Sequence, residues 1–321
     1  MAVMAKRSLP LSFTFISKTI AIAIVTYVWL YRASTLQHGD HFNNKDTYIS
    51  FAPYRTSDQS DTSVFDKTIE DMVTRIDNDL HPTADLTAQE SFKSICGQYK
   101  SICNKTTFTS SEFSDRQKLY YQVLIIYAIR KISDIGIPVN DYVDNITVRS
   151  SSSKSRWYSS RNQIVLDTKI MNGYSEFLRV LVHELGHIVD FRNLEGQNSY
   201  LKNNVYTEFG KKVFAIDDPS IDFYSISWIN ENTRSRSATY KDFVSGYSMS
   251  DIFEDFAETI NFYLNYKSIF QELTKQSDAL LAKYNFIDSI FGGQYLNNGE
   301  KKKSQFEQYK RDFRPYDTTR F

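Results

Sequence analysis

His183 and His187 stand four residues apart, with Glu184 directly after the first, in the run His183-Glu184-Leu185-Gly186-His187. On a helix, the i, i+4 spacing sets both imidazoles on one face, a turn apart, where both can reach a single ion. Two neutral imidazoles completed by oxygen donors are the beginning of a zinc site. Zinc lowers the pKa of a bound water to about 7, and Glu184 is placed to take that water's proton as it attacks a carbonyl. The chain has five histidines, and two of them fall at ligand spacing.

The surrounding residues read as a strong helix. Leu178, Leu181, Val182, Leu185, Ile188 and Val189 repeat at i, i+3, i+4, i+7, a buried stripe. Glu176, Arg179, His183, His187 and Asp190 fall opposite, where they would line a cleft. Asn172 or Ser175 can cap the start. A third ligand is required. Asp190 and Asn193 occupy the positions where a metzincin carries glycine and its third histidine, so that class is excluded. Asp190 lies about 10 Å along the helix axis from His183, too far for a co-ligand. A role behind the ligands or in a salt bridge suits it better.

The run Tyr247-Ser248-Met249-Ser250-Asp251-Ile252-Phe253-Glu254-Asp255-Phe256-Ala257-Glu258 supplies the missing oxygen donor. It reads as a helix start, with Ser248 or Ser250 as the cap and acidic residues in the first turn. Glu254 and Glu258 share a face: one can bind metal while the other accepts a hydrogen bond from a ligand histidine's free N–H. Asp251 and Asp255 need no role beyond complementing the helix dipole.

His-Glu-Leu-Gly-His-Ile-Val-Asp at 183–190, followed by Glu-Asp-Phe-Ala-Glu at 254–258, resembles the catalytic domain of the anthrax lethal factor family of zinc metallopeptidases, which includes secreted Pro-Pro endopeptidases. That family uses two helix histidines, a glutamate on a second helix, and a tyrosine seven residues before it; Tyr247 stands seven before Glu254. The resemblance implies one zinc on His183, His187 and Glu254, with Glu184 as catalytic base. It also implies that Tyr247 points at the metal and donates its hydroxyl to the developing oxyanion. Glu258 would buttress the ligands. The resemblance spans the region from 146 to the helix after Glu258, with an insertion-like segment around 195–245 that would shape specificity.

The rest of the chain frames this core. With 321 residues and 38 basic against 38 acidic side chains, it shows no global bias toward nucleic acid or an anionic surface. Residues 1–34 read as a targeting segment, in which Lys6 and Arg7 precede a largely apolar stretch interrupted by Lys18. Both a cleaved signal peptide and a retained signal anchor fit, the anchor better because no small-x-small cleavage site follows. In either case the charge asymmetry places the remainder outside the cytoplasm, with membrane contact if the segment is uncleaved. Residues 35–62 read as a polar linker, in which His38 and His41 have no assigned role. Residues 63–140 read as the helical N-terminal part of the catalytic domain, with helices at 64–80 and 115–133; His81 belongs to the end of the first. Cys96 and Cys103 are the only cysteines and can pair in an oxidising compartment, provided the helix breaks between them, for which Gly97 offers a turn.

Residues 141–296 read as the catalytic core. Strands at 146–150 and 163–168 would be joined as a hairpin by the serine-rich run 150–160, the second bordering the cleft, where an extended substrate could pair with it. Two helical stretches follow within 252–284. The polar tail 297–321 reads as peripheral. The expectation is an α+β, mostly helical, zincin-like catalytic domain with a small sheet behind an N-terminal hydrophobic segment: an extracytoplasmic zinc endopeptidase acting on a protein or peptide. The alternative is a non-catalytic, zinc-containing surface binding protein on the same fold.

Overall fold

The computed structural model describes residues 88–151, 157–160, 162–197, 202–208, 212–297 and 314–320. The hydrophobic segment, the linker, the helix expected at 64–80 and the three histidines there lie outside them. The described residues begin with a stapled corner. Helices α1 (Ala88–Gln98) and α2 (Lys100–Cys103) are separated by Tyr99, whose φ of −109° and ψ of 44° break the helix. The break brings the Cα atoms of Cys96 and Cys103 to 5.6 Å, and the two are joined as a disulfide. A continuous helix would hold them about 10 Å apart. The turn therefore falls at Tyr99, whereas Gly97 stays helical.

Helix α3 (Asp115–Asp134) starts at a capping box in which the Ser114 hydroxyl and the Gln117 side chain each bond the other's backbone N–H. Leu119, Val123, Leu124, Ala128 and Ile132 are buried as its periodicity requires. Strands β1 (Thr106–Phe108), β2 (Asn145–Arg149), β3 (Trp157–Ser159) and β4 (Gln163–Asp167) form a sheet in the order β1-β2-β4-β3, with helix α4 (Val139–Tyr142) leading into β2. Here the structure departs from the expected hairpin. β2 and β4 run parallel, and β3 pairs antiparallel with β4 at the edge. Parallel neighbours need a connection of about a dozen residues, and the serine-rich segment provides it while contributing a strand of its own. β4 is thus an inner strand, its last four residues buried, and β3 takes the place by the cleft.

Helix α5 (Gly173–Ile188) carries the histidine motif. Gly173 enters it at φ 84°, a backbone conformation suited to glycine. The Asn172 side chain makes no cap bond; the Glu176 carboxylate reaches back to the Asn172 N–H at 2.7 Å. From Phe177 onward the helix is buried on nearly all sides, so its polar face looks into protein rather than solvent. Tyr120 and Tyr121 of α3 meet Tyr174 and Phe177 edge-on or tilted. A π-type turn (Val189–Asn193) follows α5.

The segment without sequence assignment forms a hairpin of β5 (Lys202–Glu208) and β6 (Lys212–Ala215), helix α6 (Ser220–Ser227), and a hairpin of β7 (Trp228–Asn230) and β8 (Thr233–Arg234). Helix α7 (Ile252–Thr274) then packs across α5, and α8 (Asp278–Phe291), capped by Ser277, packs on α7. α7 kinks at Tyr266, which frees the Leu264 carbonyl to accept the N–H groups of Leu296 and Asn297, each at 2.8 Å. The architecture is α+β, mostly helical with a small sheet. Among the described residues no helix is long and apolar enough to cross a membrane.

Candidate metal centre

Two helices crossing at close range bring the donors together. A Cβ built on Gly186 would stand 3.0 Å from the Cα of Ala257, so α5 and α7 touch backbone to backbone just beside the motif. His183 Nε2 then lies 3.1 Å from Glu254 Oε2, and His187 Nε2 lies 3.8 Å from the same oxygen. One donor atom from each of the three residues falls within 4.8 Å of the others. The two imidazoles sit nearly perpendicular, with ring centroids 5.0 Å apart. Phe191 stacks on His187, and Tyr247 on His183.

The donor set fits a cation. His183 Nδ1 lies 3.0 Å from Glu258 Oε1. Glu258 is fully buried and also takes the Ser245 hydroxyl at 2.6 Å and the Thr318 N–H and hydroxyl at 2.9 and 2.8 Å. A carboxylate so placed accepts, which assigns the Nδ1 proton to His183 and turns its Nε2 toward Glu254. Glu254 Oε2, enclosed by protein, has no geometrically sound hydrogen bond. Lone pairs converging at these distances repel unless a proton or a metal ion lies among them. The titration of these groups follows from the same crowding, a proton and a metal ion competing for one place. Burial opposes charge on His183, but the bonds and charges of Glu254 and Glu258 outweigh it and raise its pKa well above the ordinary value. Burial lowers His187 to about 4, leaving a neutral imidazole. Glu254 is brought down to about 2, against its burial, by the two histidines and Tyr247.

Glu184 sits beside this cluster with 1% exposure, and neither of its carboxylate oxygens has a hydrogen-bond partner. Ser159 at the end of β3 approaches it and favours its ionised form, short of a full bond. Desolvation, tempered by His183 and Ser159, raises its pKa to about 7. A buried polar group without a partner costs about 1–3 kcal/mol, more when charged, so this carboxyl contributes nothing to the fold that an apolar residue would not. Tyr247, in a 3₁₀ turn before α7, donates its hydroxyl to Glu254 Oε1 at 3.0 Å. Its burial and the nearby Glu254 charge push its pKa up, so it remains a donor.

The helix cap is Asp251, which accepts from the N–H groups of Phe253 and Glu254, rather than Ser248 or Ser250. Asp255 is no mere dipole complement. It is fully buried, 2.6 Å from Lys283 Nζ and 2.8 Å from Trp228 Nε1. Asp190 accepts the Tyr224 hydroxyl at 2.6 Å and lies outside the three-donor cluster. Residues 314–320, expected at the periphery, pack against the centre, with Arg314, Thr318 and Thr319 buried. Sequence reading missed Ser245, Thr318 and Ser159, because nothing in their spacing ties them to the motif: Thr318 is 60 residues from the carboxylate it holds.

Comparison with protein families, with curated proteins and with solved structures finds no match to this chain.

Proposed function

We propose that this chain is a zinc endopeptidase with His183, His187 and Glu254 holding the metal. The observation that carries the reading is Glu184, a buried carboxyl held only loosely by Ser159, with a pKa of about 7, beside a three-donor cluster. Zinc bound there would polarise a peptide carbonyl and lower the pKa of water to about 7. Glu184 accepts the proton released in attack and returns it to the leaving amine, a role that suits a group titrating near the working pH. The Tyr247 hydroxyl, already directed at the cluster, is the donor for negative charge developing on the carbonyl oxygen. Glu258 fixes the tautomer of His183. The edge strand β3, paired on one side with β4, offers main-chain groups to an extended peptide.

This reading is that of the lethal factor type of metallopeptidase, with its glutamate ligand on a second helix and a tyrosine donor seven residues before it. The hydrophobic, basic-flanked segment 1–34 supports action outside the cytoplasm, on a protein or peptide substrate. A purely structural zinc would have a fourth protein ligand and no need of Glu184, which weighs against the binding-protein alternative. Elemental analysis of the purified chain should give one zinc per molecule. Glu184→Gln should keep that zinc and lose hydrolysis of a denatured protein substrate by at least about a hundredfold. A folded chain without zinc, or an active Gln variant, would overturn the reading.

A further inference from the structure

We infer that residues 314–320 are a working part of the metal centre, and that Thr318 is a positioning residue that locks the carboxylate behind His183. This rests on the proposal that the cluster holds zinc. The polarity of a buried hydrogen-bond chain carries it. Asn265 Nδ2 donates to Asn261 Oδ1 at 2.8 Å, which turns the Asn261 amide nitrogen toward Thr318. Asn261 Nδ2 donates to Thr318 Oγ1 at 2.7 Å, so the Thr318 hydroxyl proton is directed onward to Glu258 Oε1 at 2.8 Å. The Thr318 N–H meets the other carboxylate oxygen at 2.9 Å.

One residue therefore grips both oxygens of Glu258. Rotation of that carboxylate would break two bonds in a site closed to bulk solvent, because Glu258, Thr318 and Asn261 are each fully buried. The position left on Oε1 faces His183 Nδ1, where it holds the proton and leaves Nε2 to face the metal.

The segment that presents Thr318 is tied to α5 and to the turn before α7, as well as to α7 itself. Arg179 on α5 donates to the Thr319 carbonyl at 2.7 Å, and Arg320 pairs with Glu176 at 3.2 Å. The N–H groups of Gly246 and Tyr247 donate to the carbonyls of Pro315 and Tyr316 at 2.9 and 2.6 Å. The buried Arg314 donates to the Phe243 carbonyl at 2.9 Å. His183, Glu258 and Tyr247 thus take their mutual positions from a strap that lies far from all three in sequence.

The test is zinc affinity of the full chain, measured by competition with a chromophoric chelator, for the wild type, Thr318→Val and Thr318→Ser, with helix content followed by circular dichroism. Loss of a group that orients a metal ligand weakens binding by about tenfold or more. The Val variant should show that loss and the Ser variant should restore wild-type affinity. A Val variant that binds as tightly as wild type, or a Ser variant as weak as Val, overturns the inference. A wild-type chain that binds no zinc overturns instead the metal assignment beneath it. Should Val not fold, Thr318→Ala, which removes the hydroxyl without adding a methyl, carries the same comparison.

Discussion

Gly186 and Ala257 set the distance between the two helices that make the centre: a methyl group on the glycine would stand 3.0 Å from the Ala257 Cα and 3.4 Å from its carbonyl oxygen. Backbone atoms cannot swing aside as a long side chain can. Relief has to come from moving α5 against α7, and that movement carries His183 and His187 away from Glu254.

Gly186→Ala should consequently weaken zinc binding and lower stability. The alanine gains up to about 1 kcal/mol of helix propensity, but overpacking a tight core costs about 1–3 kcal/mol, so a net loss is expected. Gly97 is the control, since nothing lies within 4 Å of a Cβ placed there. Gly97→Ala, also helical, should stabilise. Urea denaturation of both variants, with chelator titration of the first, measures the contrast; equal effects would remove the close crossing as the cause.

Tyr247→Phe separates ligand geometry from chemistry. The phenol supports Glu254 by one hydrogen bond, worth about 0.5–1.5 kcal/mol. As an oxyanion donor it would contribute about a hundred- to a thousandfold to turnover. The variant should keep its zinc with little loss of affinity while kcat falls by two orders of magnitude or more. Steady-state kinetics beside metal titration decides it, and an unchanged kcat would strip Tyr247 of that role.

Lys283 and Asp255 form a buried ion pair beneath the first turn of α7, with the ammonium 4.0 Å from the Phe243 ring centre. Removing the lysine alone strands a buried carboxylate, and Lys283→Met should cost about 3–5 kcal/mol. The double variant Lys283→Met with Asp255→Leu removes both charges and should recover part of that loss. Chemical denaturation of the two variants checks the order; a single variant as stable as the double would refute it.

Asp167 provides a pH handle away from the His183–His187–Glu254 cluster. Burial would raise its pKa, but the Ser151 hydroxyl and N–H, the Lys169 N–H and Arg149 together bring it below the ordinary value. Folding thus weakens its hold on the proton. Its stabilising contribution is complete above about pH 4, the unfolded value, and is lost as pH falls through the depressed folded value. The stability gap between wild type and Asp167→Asn should be widest near neutrality and close under acid. Denaturation curves at a series of pH values test this, and a gap that grew on acidification would contradict it.

The two long helices and the motif were legible because a 3.6-residue apolar repeat leaves a mark over three or more turns, as Leu119 through Ile132 and Leu178 through Val189 show. The edge strand was not. Trp157–Ser159 is three residues long, too short for an alternating pattern to stand out from a serine-rich run. Without it, β2 and β4 looked like the two arms of a hairpin. The choice between Glu254 and Glu258 came from a resemblance, because both share one face of α7; the structure separates them by what stands behind each, two imidazoles in one case and Thr318 in the other. The Asp255–Lys283 pair stayed hidden for a related reason, since an acidic residue in a first helical turn already has a local explanation.

The strap also sets a schedule. Thr318 meets Glu258 across 60 residues, and Arg320 meets Glu176 across 144. Contacts of that separation close late, because the intervening loop must lose its freedom before they form. A chain emerging from the ribosome at about 5–20 residues per second presents His183 and Glu184 well before the residues that complete their surroundings. The cluster therefore stays without the carboxylate clamp for seconds after its histidines have been made, and its surroundings close only with the end of the chain.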